Sequence, residues 1–162
     1  MQDLSIADGL IVYVKKDLQF IHRVVDISEV NALEINLNNT KIRILAAYRN
    51  QSVRESDFLI SFRSYLEGLD GDCDVDITKG DMNIDILDTV GDDTQDYLML
   101  MSEMGFTSCI YLPTRVTKIS KTCIDHVFLK NEIGLEGCLP VVSKTSLTDH
   151  FPVSLQIFPG KN

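Results

Sequence analysis

The sequence predicts an α/β layered sandwich, on three observations. Strand-length apolar or alternating runs recur along the chain, two stretches of helical periodicity interrupt them, and no repeat, low-complexity tract or Pro/Gly linker divides it. Many strands of mixed pairing with two interspersed helices require layers, because each apolar face must be covered by another element. The 162 residues are the size of one domain, so 1–162 reads as a single unit. Apolar residues make up 44% and charged residues 24%, ordinary proportions for a globular protein. A chain of this length buries a full core, with roughly two-thirds of its unfolded surface leaving water.

The elements follow in chain order. Residues 9–14, GLIVYV, form a continuous apolar run and predict a buried strand. Residues 20–27, rich in β-branched side chains, predict a second. Residues 32–37 alternate, Asn38-Asn39 signals a turn, and residues 41–48 pair back, so 32–48 is expected as a hairpin. Ser52, with Glu55 three residues on, predicts a capped helix start. Phe58, Phe62, Tyr65, Leu66 and Leu69 then recur along one helical face, and Gly68 suits the helix end. Residues 74–79 predict a short strand running into Gly80-Asp81. A second helix is expected over about 94–104, capped by Asp92 or Asp93 and stopped at Gly105, with Tyr97, Leu98, Met101 and Met104 inward. Residues 107–111, 124–129, 137–142 and 151–158 are four further strand candidates.

Bulk properties narrow the function. The formal net charge is −9, whereas a protein that grips duplex by neutralising phosphates usually shows a basic surface. Either nucleic acid is held by a local patch with help from a metal ion, or tight DNA binding needs residues that this sequence lacks. Cys73, Cys109, Cys123 and Cys138 have neither C-x-x-C nor zinc-finger spacing, so reduced thiols are expected. No apolar run approaches the ~20 residues that cross a bilayer. Residues 1–3 carry no basic or apolar leader pattern. A nuclear or cytoplasmic protein, not a secreted one, is the expectation.

Three segments place polar residues at the ends of apolar strands. The first is Lys79-Gly80-Asp81-Met82-Asn83-Ile84-Asp85. Asp81 and Asn83 are two apart, so in extended chain they share a face and could orient a water; an Asx-rich turn is the plainer alternative. The second is Cys123-Ile124-Asp125-His126-Val127-Phe128, with Asp125 on one face of the strand and His126 on the other. A carboxylate on a largely apolar strand is costly unless partnered. His126 alone is better read as a packed strand histidine. The third is Thr148-Asp149-His150-Phe151-Pro152-Val153, a turn into a strand. Singly, each has a bland structural explanation.

Together, in this order and with about forty and then about two dozen residues between them, they resemble the endonuclease/exonuclease/phosphatase superfamily. Ala47-Tyr48-Arg49-Asn50 is similar to that superfamily's tyrosine-bearing strand end. Pro113-Thr114-Arg115-Val116-Thr117-Lys118, running into Lys121-Thr122-Cys123-Ile124-Asp125-His126, is similar to its non-LTR retrotransposon branch, whose endonuclease accompanies a reverse transcriptase. The resemblance extends from about Gly9 to Ile157. It implies a DNase I-like sandwich of two mixed sheets flanked by helices, and a metal-dependent phosphodiesterase that nicks DNA.

By this resemblance Asp81 would activate the attacking water and Asn83 orient it. His150 would contact the scissile phosphate, Asp125 would pair with His150 and hold it protonated, and Tyr48 would donate to a phosphate oxygen. Arg115, with Tyr48, Asn83 and His150, would hold DNA phosphate. Asp149 and Asp81 would bind the cation, Mg²⁺ or Mn²⁺, a hard ion that prefers oxygen ligands. The family's domain normally opens with a strand ending in asparagine, and a later strand ends in a metal-binding glutamate. Nothing in residues 1–8 resembles either, and Glu29 and Glu34 lie beyond the matching point. The expectation is therefore an N-terminally truncated domain with weak metal affinity and bared sheet edges. Two other functions stay open: an inactive relic that binds a protein partner, for which the acidic segment 70–96 would suit a basic surface, and a phosphatase of the same superfamily.

Overall fold

The structure is a computed structural model that describes residues 2–6, 9–37, 41–69, 71–131 and 137–158. Its elements are β1 (Gln2–Ile6), β2 (Leu10–Val14), β3 (Phe20–Ile27), β4 (Val30–Leu37), β5 (Ile42–Tyr48), α1 (Glu55–Glu67), β6 (Val75–Asp81), α2 (Asp92–Glu103), β7 (Thr107–Ser108), β8 (Arg115–Val116), β9 (Lys121–Thr122), β10 (Asp125–Asn131), β11 (Cys138–Val142) and β12 (Val153–Ile157).

One mixed sheet of six strands, ordered β3-β4-β5-β6-β10-β7, organises the chain. β3, β4 and β5 meander antiparallel, β5 and β6 run parallel across α1, and β10 returns antiparallel to β6. The predicted 32–48 hairpin is present; its Asn38-Asn39 turn lies outside the described residues. The other strands form three antiparallel pairs, β1-β2, β8-β9 and β11-β12. The fold is thus the expected α/β layered type, but the second β layer is small.

Alternation gives the large sheet two faces. On one, Ala32, Leu45, Ala47 and Phe128 meet Phe58, Phe62 and Leu66 of α1 and Tyr97, Leu100 and Met101 of α2. Phe58 and Phe62 stack at 5.0 Å, and Tyr97 meets Phe128 edge-on at 5.6 Å. On the other, Leu33 and Ile35 pack with Val14, Leu10 and Val12 of β2. β11 and β12 sit beside them over β10, contributing Val142, Val153 and Leu155. The site lies between these two small covers.

Several local expectations are corrected. GLIVYV is not buried throughout: Ile11 and Tyr13 are 56% and 59% exposed, because β2 belongs to a two-stranded sheet with only one face on the core. Ser52 does not cap α1. It bonds back to Asn50 Oδ1 through both its N–H and its hydroxyl. Arg54 holds the N-cap position with no side-chain cap. α2 starts at Asp92, with Gly91 at the cap and Asp92 and Asp93 in the first turn, where carboxylates favour the helix dipole. Strands β1, β8 and β9 are additions to the sequence reading.

Candidate active site

Gly80 sets the position of the first acid. It has φ +154°, and a Cβ there would lie 1.7 Å from the Ala47 carbonyl oxygen. Only glycine lets β6 lie this close to β5. The register then puts Asp81 level with Tyr48 on one side and Asp125 on the other. All three therefore share the sheet face opposite the helices.

After Asp81 the chain turns sharply. Asn83 N–H donates to Asp81 Oδ1 at 3.0 Å, and Asn83 has φ +50°. This is the Asx turn, and it overturns the expectation that Asp81 and Asn83 share an extended face. The Asn83 amide donates to the Arg49 carbonyl at 2.7 Å and accepts from Gln51 at 3.0 Å. Arg49 secures this turn from beneath. Its fully buried guanidinium donates to the carbonyls of Met82, Val53 and Asn83 and pairs with Glu55 at 3.0 Å. Glu55, expected to complete a capping box with Ser52, is the counter-ion of Arg49 instead.

Asp125 and His150 meet as expected. His150 Nδ1 lies 3.0 Å from Asp125 Oδ2 and 3.2 Å from Oδ1, which leaves Nε2 as the outward ring nitrogen. Buried Thr114 positions both residues. Its hydroxyl accepts from the N–H groups of Ile124 and Asp125, and its carbonyl accepts from Phe151 N–H at 2.6 Å. Thr114 carried no distinguishing signal in the sequence beyond the motif around it.

Asp81, Asp125 and His150 form one half-buried group whose ligand atoms all lie within 4.8 Å of one another. They open into a cavity of about 300 Å³ that also meets Lys79, Phe151, Pro152 and Val153. Burial raises the Asp81 pKa, and the Asp125 charge adds to this; the Asn83 N–H, His150 and Arg115 oppose it. Asp149, expected as a cation anchor, stands outside this group. Arg115 Nε donates to it at 2.8 Å, and that hydrogen bond holds its carboxyl below the usual range. Arg115 itself bridges to the His150 backbone at the cavity rim. Tyr48 lines a neighbouring open cavity with Asn31 and Asn50. Glu34 points to the helix face, held by Arg23 and Tyr65. Among the described residues no further carboxylate joins the group.

His126 is the packed histidine that its strand suggested. Its Nε2 lies 3.0 Å from the carbonyls of both Ile84 and Cys123, so Nε2 carries the proton and Nδ1 accepts from Tyr97 at 3.1 Å. Burial pushes its pKa down to about 4.

No protein-family description matches the chain, and no curated protein is similar to it in sequence. Solved structures are similar in fold. The endonuclease domain of TRAS1, a telomere-specific non-LTR retrotransposon, aligns with 99% of this chain and 80% of its own, at 16% identity and a TM-score of 0.73. The 3′–5′ exonuclease NExo of Neisseria meningitidis aligns with 88% of this chain and 71% of its own, at 12% identity and a TM-score of 0.59. A truncated TDP2 of Caenorhabditis elegans aligns with 90% and 68%, at 13% identity and a TM-score of 0.55. The chain has the fold of the endonuclease/exonuclease/phosphatase proteins.

Proposed function

We propose that this chain is a divalent-metal-dependent phosphodiesterase, and within that class an endonuclease of retrotransposon type that nicks DNA. The observation that carries the reading is convergence. Asp81, Asp125 and His150 come from three separate segments, yet their polar atoms lie within 4.8 Å on one concave face. The likeness of the fold to nucleases supports the same reading.

The carboxylates of Asp81 and Asp125 are hard oxygen donors that fit Mg²⁺ or Mn²⁺, so these two residues would hold the ion, with His150 beside them. When bound, the ion supplies Lewis-acid stabilisation of phosphate charge. The protein's own groups divide the remaining work. Asp81, with its pKa raised by burial, is the better base for drawing a proton from the attacking water. Asp125 holds the His150 ring by Nδ1, aiming Nε2 at a phosphate oxygen, where a fixed donor lowers the energy of developing charge. Arg115 and Tyr48 flank this centre and bind the strand on either side. In a chain of net charge −9, these few groups and the ion carry phosphate binding.

Nicking of supercoiled plasmid tests the reading, with Mg²⁺, with Mn²⁺ and with chelator, beside His150→Ala and Asp81→Asn. The expected result is metal-dependent open circles, with each variant slower by about a hundredfold or more. Folded wild-type protein that leaves the plasmid intact with either metal would overturn it.

A further inference from the structure

Lys79 occupies an unusual place for a lysine. It lies on β6, inside the six-stranded sheet, on the same face as Asp81. Its lateral neighbours on that face are Ala46 of β5 and Val127 of β10, so its stem crosses an apolar floor. The ammonium group reaches the Val153 carbonyl at 2.7 Å. Among the described residues that is its one hydrogen bond, and no carboxylate pairs with it. Two of its three donors therefore have no protein acceptor among the described residues. Lys79 lines the cavity that holds Asp81, Asp125 and His150, and also a second cavity of about 420 Å³ running on towards Leu10 and Val12 of β2. It lines both cavities, as Gly80 does. Along an extended strand the Cα atoms of Lys79 and Asp81 are about 7 Å apart, and the bond to Val153 draws the ammonium towards β12.

We propose that Lys79 binds a second phosphate group of the substrate, next to the one that is cut. The inference rests on the phosphodiesterase reading and narrows it: the preferred substrate is a strand with consecutive phosphates, not an isolated diester. An ammonium over an apolar floor, lacking a protein counter-ion, suits a phosphate oxyanion. The competing role for Lys79 is to cap the Val153 carbonyl on the outer side of β12. Lys79→Gln separates the two, because glutamine keeps a donor for that carbonyl and lacks the charge.

The experiment is NMR titration of the full chain with the dinucleotides TpT, pTpT and TpTp, without metal so that nothing is cut. Wild type is expected to bind pTpT or TpTp about tenfold or more tighter than TpT. In Lys79→Gln that gap should close, and in Lys79→Arg it should reopen. Equal binding of all three by wild type, or a gap that survives in Lys79→Gln, would overturn the proposal. The two readings fail separately. Plasmid nicking with no phosphate-dependent gap discards the Lys79 site alone; the gap without nicking discards hydrolysis and leaves Lys79 as a phosphate ligand.

Discussion

Gly80 and Lys79 are sequence neighbours with opposite demands. Gly80 exists for what it lacks. A Cβ would overlap the Ala47 carbonyl, so Gly80→Ala must push β5 and β6 apart where Tyr48 and Asp81 are aligned. The cost should be about 3 kcal/mol, read as a lowered urea midpoint, and unchanged stability would contradict the geometry. The sequence placed Gly80 where a strand runs into Asp81, without the close approach to Ala47. It could not show that Asn83 turns its amide back to the Arg49 carbonyl. Spacing of two implies a shared face only while the backbone stays extended, and the Asp81 carboxylate bends it by taking the Asn83 N–H. Arg49 belongs to a short motif, yet two of the three carbonyls that hold it lie 33 and 34 residues away. No local pattern encodes that.

Elements were legible in proportion to their length. β3 matches its predicted span, and the expected helical stripes bury Phe58, Phe62, Leu66, Tyr97 and Met101, whereas Tyr65, Leu69, Leu98 and Met104 are only half-buried and α2 also turns Thr94 and Leu100 inward. β8 and β9 have two residues each, and two residues cannot display a period. β10 is the element that joins fold to site. One face sends Asp125 to His150; the other sends His126 into the core beside Tyr97, ring centroids 5.4 Å apart. His126 therefore makes stability depend on pH. Its folded pKa, about 4, lies below the 6.5 of an ordinary histidine, so the unfolded chain binds more protons between those values. The contribution is complete above pH 6.5 and is lost as pH falls towards 4, for roughly 3 kcal/mol in all. Urea unfolding at pH 7 and pH 4.5 checks it. The pH-linked loss should shrink in His126→Phe, and an equal loss in that variant would assign it to other groups.

At the scale of the whole molecule, a large sheet is covered by two helices on one side and by two small strand pairs on the other. Asp81, Asp125, His150 and Lys79 line the gap between those pairs. The order of three short motifs along the sequence carried most of this. The cation ligands were the part it could not fix. Asp149 precedes His150 directly, yet the turn gives it to Arg115. Asp125 pairs with His150 as expected and also stands beside Asp81. Chain order says which residues arrive at an edge; side-chain competition decides which of them face each other.

The central claim is that Asp81, Asp125 and His150 form one cation-binding phosphodiesterase centre. Mn²⁺ titration followed through histidine ring protons tests it most directly, because the chain has three histidines. His22 lies on β3, three strands from β6, or about 14 Å across the sheet, and serves as the reference. His150 should broaden at Mn²⁺ concentrations that leave His22 sharp, and Asp81→Asn should abolish the difference. His150 broadening no sooner than His22 in folded wild-type protein would contradict it.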